Sequence, residues 1–433
     1  MDMTNTAHVL RAPQPASSRL DVMNFLNEIA NEYPQAVSFA SGRPAEEFFQ
    51  FAQWIARVPQ FVEHFARQRG IDSTQAYNLL AQYGRTNGII NDLMARQLEL
   101  DEGVVCAPEQ ILVTAGCQEA LDLVVTGVCR DPDDVILVRS PCYIGITGVA
   151  ELNGIEMAPF TCDDGDDALA AMRAQVAQLE ARGKRPRLLY LVPDFDNPTG
   201  AVLSRQERID FIAFCADKQI LILEDNPYGM FRYEGERVPT MYCLDDHGCV
   251  VYLGTYSKTI CPALRIGCAA IPPALFGVPG TGRTLCDQLS QAKSFVSVNT
   301  SQLTQAVVGA MLLAEAGSLQ KLVAPARALY RRNRDLMVEH LAAVFPAGSG
   351  VCWNRPEGGF FLTLTLPFSF GKREAQMCAN DYGVLVMPLS FFALDDRQDR
   401  RVRLAFSNIS PDAIATGVAR IAQFVRDRLA QGA

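Results

Sequence analysis

Histidine and tryptophan are scarce. The 433-residue chain has four histidines, His8, His64, His247 and His340, and two tryptophans. No two histidines are spaced as metal ligands, so each reads as a surface or packing residue. No stretch approaches the ~20 apolar residues of a membrane-spanning helix. The 13 cysteines are dispersed, odd in number and never paired as Cys-x-x-Cys. They read as reduced, mostly buried thiols, which excludes a disulfide framework or zinc site. Positive charge is in deficit, with 39 Lys and Arg against 48 Asp and Glu and a net charge of −9. That disfavours nucleic acid or an anionic membrane as partner. The opening "MDMTNTAHVLRAPQPASS" has no apolar core, so no signal peptide is expected and the cytoplasm is the expected location. Internal repeats and low-complexity tracts are absent. So is a Gly-x-Gly-x-x-Gly after the first strand, which argues against a Rossmann dehydrogenase.

What remains is a globular composition, 49% hydrophobic and 20% charged, long enough for two or three domains. Residues 1–20 are polar and read as a loose arm. Between about 110 and 271 short apolar runs recur: "QILVTAG", "DVILVRSP", "RLLYLVP", "ILILEDNP", "VVYLGTYSK" and "RIGCAAIP". Such runs indicate strands buried on both faces. Helical patterns separate most of them, and "SRQERIDFIAFCADK" opens with a capping box from Ser204 to Glu207. The alternation predicts a mainly parallel α/β sheet. The gap from Gly254 to Ile266 is too short for a crossover, so "RIGCAAIP" is predicted antiparallel. After about 300, a long helix over roughly 316–344 and strands within "GVCWNRPEGGFFLTLTL", "GVLVMPLS" and "RVRLAFS" predict a smaller α+β domain.

Ligands in parallel α/β folds bind beyond the carboxyl ends of the strands, and chemistry gathers there. "TAGCQEALDLVV" places Gly116, Cys117 and Gln118 where a strand turns into a helix, an anion site by its free N–H groups. "PDFDNPTG" places Asn197 at a second strand end. "LEDNPYG" places Asp225 and Tyr228 at a third, and "TYSK" places Thr255, Ser257 and Lys258 at a fourth, with Arg265 downstream. Each motif alone is an ordinary turn or surface feature. In this order they supply an anion cradle, a carboxylate, hydrogen-bond donors and one lysine amine.

These motifs resemble the class I/II aminotransferases, fold type I enzymes dependent on pyridoxal 5′-phosphate. The resemblance runs from Tyr83 to Arg403. It implies a mainly parallel seven-stranded sheet between helices plus the smaller domain. Its division would be 1–20 arm, 21–60 segment joining the small domain, 61–310 large cofactor-binding domain and 311–433 small domain. "MNFLNE", "SFASGRPAEEFF", "SPCYIGITG" and "VNTSQLTQAV" are similar to the aminoadipate and aromatic subgroup, with the (S)-3,5-dihydroxyphenylglycine aminotransferases. The family implies that Lys258 forms a Schiff base with the cofactor aldehyde. Thr255, Ser257, Arg265 and N–H groups at Gly116, Cys117 and Gln118 would bind its phosphate. Asp225 would meet the pyridine nitrogen, Asn197 and Tyr228 the phenolic oxygen, and Tyr143 the ring face. Tyr83 and the segment Asn299–Thr300 would reach the phosphate of a neighbouring subunit, implying a homodimer with shared active sites.

Arg403 matches the arginine that binds a substrate α-carboxylate, a task suited to a guanidinium fork. Arg401 is read as pointing to the opposite strand face. Gly42 and Arg43 are candidates for the substrate pocket, with Asn197 shared. Phe48, Phe49, Phe360, Phe361, Phe391 and Phe392 are candidates for an aromatic wall or for core. Cys117 departs from the Ser or Thr usual at the phosphate turn. The expected reaction moves an amino group between an amino acid, aromatic or arylglycine-type, and a 2-keto acid in secondary metabolism such as antibiotic biosynthesis. The same motifs also serve eliminations, γ-substitutions, cyclisations and oxidations. A ligand-sensing regulator is a third alternative.

Overall fold

The computed structural model describes residues 32–161, 167–279 and 282–432. The expected arm, "MNFLNE" and His8 lie outside them.

Among the described residues fifteen strands occur in chain order. They are β1 (Val37–Ser38), β2 (Ile111–Thr114), β3 (Asp134–Arg139), β4 (Glu156–Phe160), β5 (Arg185–Leu191), β6 (Leu221–Asp225), β7 (Val250–Thr255) and β8 (Gly267–Ala270). There follow β9 (Ala274–Leu275), β10 (Val278–Pro279), β11 (Cys352–Trp353), β12 (Phe361–Thr365), β13 (Val384–Leu385), β14 (Met387–Pro388) and β15 (Arg401–Ala405). The main sheet has seven strands in the order β2-β8-β7-β6-β5-β3-β4. All its pairings are parallel except those of β8, which runs against both β7 and β2, with Thr255 opposite Gly267. The short connection from β7 to β8 thus makes the antiparallel return expected of it.

The strands are apolar throughout because both sheet faces are covered, and side chains alternate between the faces. Ile136, Val138, Leu188, Tyr190, Leu221, Leu223, Val251 and Leu253 enter one core with helix Cys117–Val128. Val135, Leu137, Leu189, Leu191, Ile222 and Val250 enter the other, with helices Ala168–Ala181 and Arg205–Lys218. The capping box forms as read: Ser204 Oγ accepts the Glu207 N–H, and the Glu207 carboxylate accepts the Ser204 N–H.

A four-stranded antiparallel sheet, β11-β12-β15-β14, forms a second layer, flanked by helices Gln320–Val344, Lys372–Tyr382 and Pro411–Ala430. β1 pairs in parallel with β13, tying residues 37–38 to this layer. Arg401 and Arg403 stand two residues apart on β15, so they share a face, which corrects the opposite-face reading. Arg401 Nη2 reaches Thr363 Oγ1 at 3.3 Å, and Thr363 is the register partner of Arg403. Among the described residues no helix is long and apolar enough to cross a membrane, and no group of side chains could hold a metal ion.

Candidate active site

The carboxyl ends of β2, β3, β5, β6 and β7 open onto one cavity of about 320 Å³. Its lining includes Gly42, Arg43, Cys117, Gln118, Tyr143, Asn197, Asp225, Tyr228, Thr255, Ser257, Lys258, Arg265 and Arg403. Segments more than 360 residues apart in sequence thus converge, as the strand-end reading expects.

Beyond β2, Gly116 takes φ +78°, a backbone conformation that favours glycine, and a Cβ there would stand 2.3 Å from Arg265 Nη2. A Cβ on Gly267 would lie 2.7 Å from the Cys117 nitrogen. Both glycines therefore keep the helix start open. Among the described residues no hydrogen bond takes the N–H groups of Cys117 or Gln118. These donors point where an anion is favoured. Arg265 is itself in the left-handed region at φ 52°, and its Nη1 donates to Ser257 Oγ at 3.3 Å. Thr255 Oγ1 accepts the Ser257 N–H at 3.2 Å. Two hydroxyls, a guanidinium and free amides form a donor set that fits a phosphate.

Asp225 ends β6 and is buried. Its Oδ2 accepts from the Tyr190 hydroxyl at 2.7 Å and its Oδ1 from the Cys117 thiol at 3.3 Å. Burial raises its pKa above the usual carboxylate range, while the two hydrogen bonds and the Lys258 charge oppose the rise. Lys258 is half-buried and donates to the Gly42 carbonyl at 3.2 Å. Loss of solvation lowers its pKa to about 8, helped by the charges of Arg403 and Arg265 and opposed by Asp225. A lysine so placed gives up its proton near pH 8, well below its ordinary range.

Arg403 is buried on β15 and donates to Asn197 Oδ1 at 2.7 Å and to the Ala40 carbonyl at 2.5 Å. Its guanidinium lies 4.3 Å from the Phe361 ring centre and 4.7 Å from that of Phe392. Burial lowers its pKa to about 10, so it stays cationic at neutral pH. Its Nε is buried with no hydrogen-bond partner among the described residues. Tyr228 is buried against Phe360 and Phe361. Gln118 Nε2 holds the Gly145 carbonyl at 3.0 Å, behind the Tyr143 ring.

Of the six candidate aromatic residues, Phe361 and Phe392 line the cavity and Phe360 lies beneath Lys258, its ring centre 5.9 Å from Nζ. Phe48, Phe49 and Phe391 are partly buried against the cores. Tyr83 does not line this cavity and is 80% exposed. Sequence reasoning missed Tyr190. Its signal was a single hydroxyl-bearing residue inside an otherwise apolar run, since a buried tyrosine hydroxyl requires a partner.

A family model described as aminotransferase class I and II matches residues 37–421. The chain is 37% identical to the (S)-3,5-dihydroxyphenylglycine transaminase of Amycolatopsis orientalis, over 94% of this chain and 92% of the relative. It is 29% identical to aromatic-amino-acid aminotransferase 1 of Thermococcus litoralis, over 92% and 90%. Among solved structures, the multiple substrate aminotransferase of Thermococcus profundus superimposes with a TM-score of 0.80 at 26% identity, covering 99% of this chain and 98% of that one.

Proposed function

The chain belongs to the class I and II aminotransferase family, whose members use pyridoxal 5′-phosphate, and from that premise we propose the following reaction. An amino group passes between an aromatic or arylglycine-type amino acid and a 2-keto acid, with Lys258 holding the cofactor covalently, in secondary metabolism. The observation that carries this reading is one cavity wall bearing Lys258, with its lowered pKa of about 8, between buried Asp225 and buried Arg403. The identity of 37% to a dihydroxyphenylglycine transaminase supports the arylglycine class. The two phenyl rings flanking Arg403 support an aromatic side chain.

The residues fit the cofactor. Gly116, Cys117 and Gln118 would hold its phosphate through their N–H groups, with Thr255, Ser257 and Arg265. Asp225 would face the ring nitrogen, Asn197 and Tyr228 the phenolic oxygen, and Tyr143 the ring face. When bound, pyridoxal phosphate supplies a carbonyl that captures the substrate amine and a cationic ring that draws electrons from its Cα. Asp225 would keep the ring nitrogen protonated. Arg403 orients the substrate by its α-carboxylate, in a fork fixed by Asn197 and Ala40. Lys258 Nζ, as a neutral amine, would take the Cα proton and hold it for delivery to the carbon that accepts it. Gly42 and Arg43 border the substrate's side chain.

Of the described residues, those within 61–310 form the large domain, and 32–60 with 311–432 the small one, a division supported by the pairing of β1 with β13. The enzyme acts in the cytoplasm as a homodimer, in which Tyr83 and Asn299 reach the other subunit's phosphate, whereas Thr300 is buried and its hydroxyl donates to the Val113 carbonyl of its own chain at 3.0 Å. Tyr83, Phe295 and Leu303 are 80%, 86% and 66% exposed, apolar surface that a second copy would cover.

The test is a visible spectrum of the loaded protein before and after single amino acids are added without oxygen. Bleaching of the yellow band with release of the matching keto acid is expected, fastest with arylglycines. Ammonia release without a keto-acid acceptor would instead mark elimination or oxidation.

A further inference from the structure

A buried ion pair stands behind the phosphate turn, and the reaction itself does not use it. Glu119 lies in the first turn of helix Cys117–Val128. Its Oε2 accepts the Ala115 N–H at 2.5 Å, pinning the residue that precedes Gly116. Lys293, from helix Leu285–Val296, is 0% exposed and donates to both Glu119 oxygens at 2.9 Å. Its third proton goes to Ser297 Oγ at 2.8 Å, and that hydroxyl donates onward to Glu119 Oε1 at 2.6 Å. Every proton of the ammonium is therefore satisfied.

Such a pair is a poor source of stability, because desolvating two charges offsets their attraction. A carboxylate at a helix start also competes with any anion bound there, since both draw on the same positive end. Its presence in this turn therefore calls for a counter-charge, and Lys293 is that charge. We propose that Glu119 and Lys293 are a positioning pair for the cofactor phosphate. Glu119 fixes the Ala115–Gly116 turn so that the Cys117 and Gln118 N–H groups face outward. Lys293 cancels the negative charge that would otherwise stand behind a bound phosphate. The inference rests on the phosphate reading of Gly116, Cys117 and Gln118 given above.

The test compares equilibrium binding of pyridoxal phosphate and of phosphate-free pyridoxal to cofactor-free protein. Both aldehydes engage Lys258, so their ratio isolates the phosphate. Lys293→Met should weaken pyridoxal phosphate about tenfold and pyridoxal less than about twofold, whereas Glu119→Gln, which keeps an acceptor for the Ala115 N–H and removes only the negative charge, should weaken neither. The double variant, which leaves no unpaired buried charge, should recover to within about threefold of the parent. If Lys293→Met fails to fold, Glu119→Ala combined with Lys293→Met, which removes the acceptor of the Ala115 N–H along with both charges, should weaken pyridoxal phosphate about tenfold and pyridoxal less than about twofold. Equal weakening of both aldehydes by Lys293→Met or by that variant, or no weakening, overturns the proposal and leaves the pair a packing feature. Arg265→Ala is the control: if it too weakens both aldehydes alike, the phosphate reading itself has failed.

Discussion

Tyr190 and Asp225 meet across neighbouring strands β5 and β6, phenol to carboxylate at 2.7 Å. The hydroxyl stabilises the ionised carboxylate against the burial that opposes it. Tyr190→Phe removes that donor, so the Asp225 pKa rises further. In the proposed site Asp225 would pair with a protonated ring nitrogen only when ionised. Cofactor affinity should therefore begin to fall at a higher pH in the variant. The expected displacement of the midpoint is about one pH unit, the size of one hydrogen bond to a charged group. Cofactor titrations between pH 5 and 8 measure it, and an unmoved midpoint would remove Tyr190 from the site.

Lys258→Ala should abolish turnover while the fold persists. A second consequence follows from the lysine's lowered pKa. In the cofactor-free protein, burial moves Lys258 from 10.5 to about 8, so holding it charged costs about 3 kcal/mol. Below pH 8 the amine is protonated both folded and unfolded, and the cost is full. Between about 8 and 10.5 only the unfolded chain keeps the proton, so stability rises with pH. Lys258→Met should thus be more stable than the parent near pH 7, by an advantage that fades as pH climbs through that window. Denaturant midpoints of the two cofactor-free proteins at pH 7, 9 and 10.5 test it; a constant difference would mean that the ammonium is not desolvated.

Arg403→Lys keeps the charge and loses the fork. One terminal nitrogen of the arginine is fixed by Asn197 and the other by Ala40, and rings flank its plane. A lysine ammonium cannot satisfy both contacts and hold a carboxylate bidentately. The expected result is a loss of about 100-fold in kcat/KM for amino acids, or about 3 kcal/mol, expressed chiefly in KM. Cofactor affinity should stay unchanged. A variant equally impaired toward the cofactor would show that Arg403 supports the pocket rather than the substrate.

The sequence made the strand-end residues legible because each follows a buried apolar run, and such runs admit few interpretations. β8 was legible for a related reason, since the eleven residues between Thr255 and Gly267 fall short of the dozen that a parallel crossover needs. Contacts between distant segments were not legible. Tyr190 earns its role from a neighbour 35 residues away, and Lys293 from one 174 residues away. The lone hydroxyl in an apolar run marks Tyr190 as needing a partner without naming it, and no local pattern marks Lys293. Phe361 and Phe392 flank Arg403 because β12 and the segment after β14 fold around β15, which aromatic spacing alone cannot show. The Arg401 reading failed on strand geometry: residues two apart return to the same face.

The proposed shared-site dimer has a sharp consequence. If Tyr83 completes the other subunit's phosphate site, Lys258→Ala and Tyr83→Ala damage opposite contributions. Each variant dimer alone should be nearly inactive. A mixed dimer places both lesions in one site and leaves the other site with intact Lys258 and intact Tyr83. Random reassortment makes half the dimers mixed, each with one good site, so mixing equal amounts should restore about a quarter of parental activity. The measurement is activity after denaturing and refolding the two variants together, against each refolded alone. Recovery near zero would place Tyr83 in service of its own subunit, or outside the site, and its 80% exposure would then need another explanation.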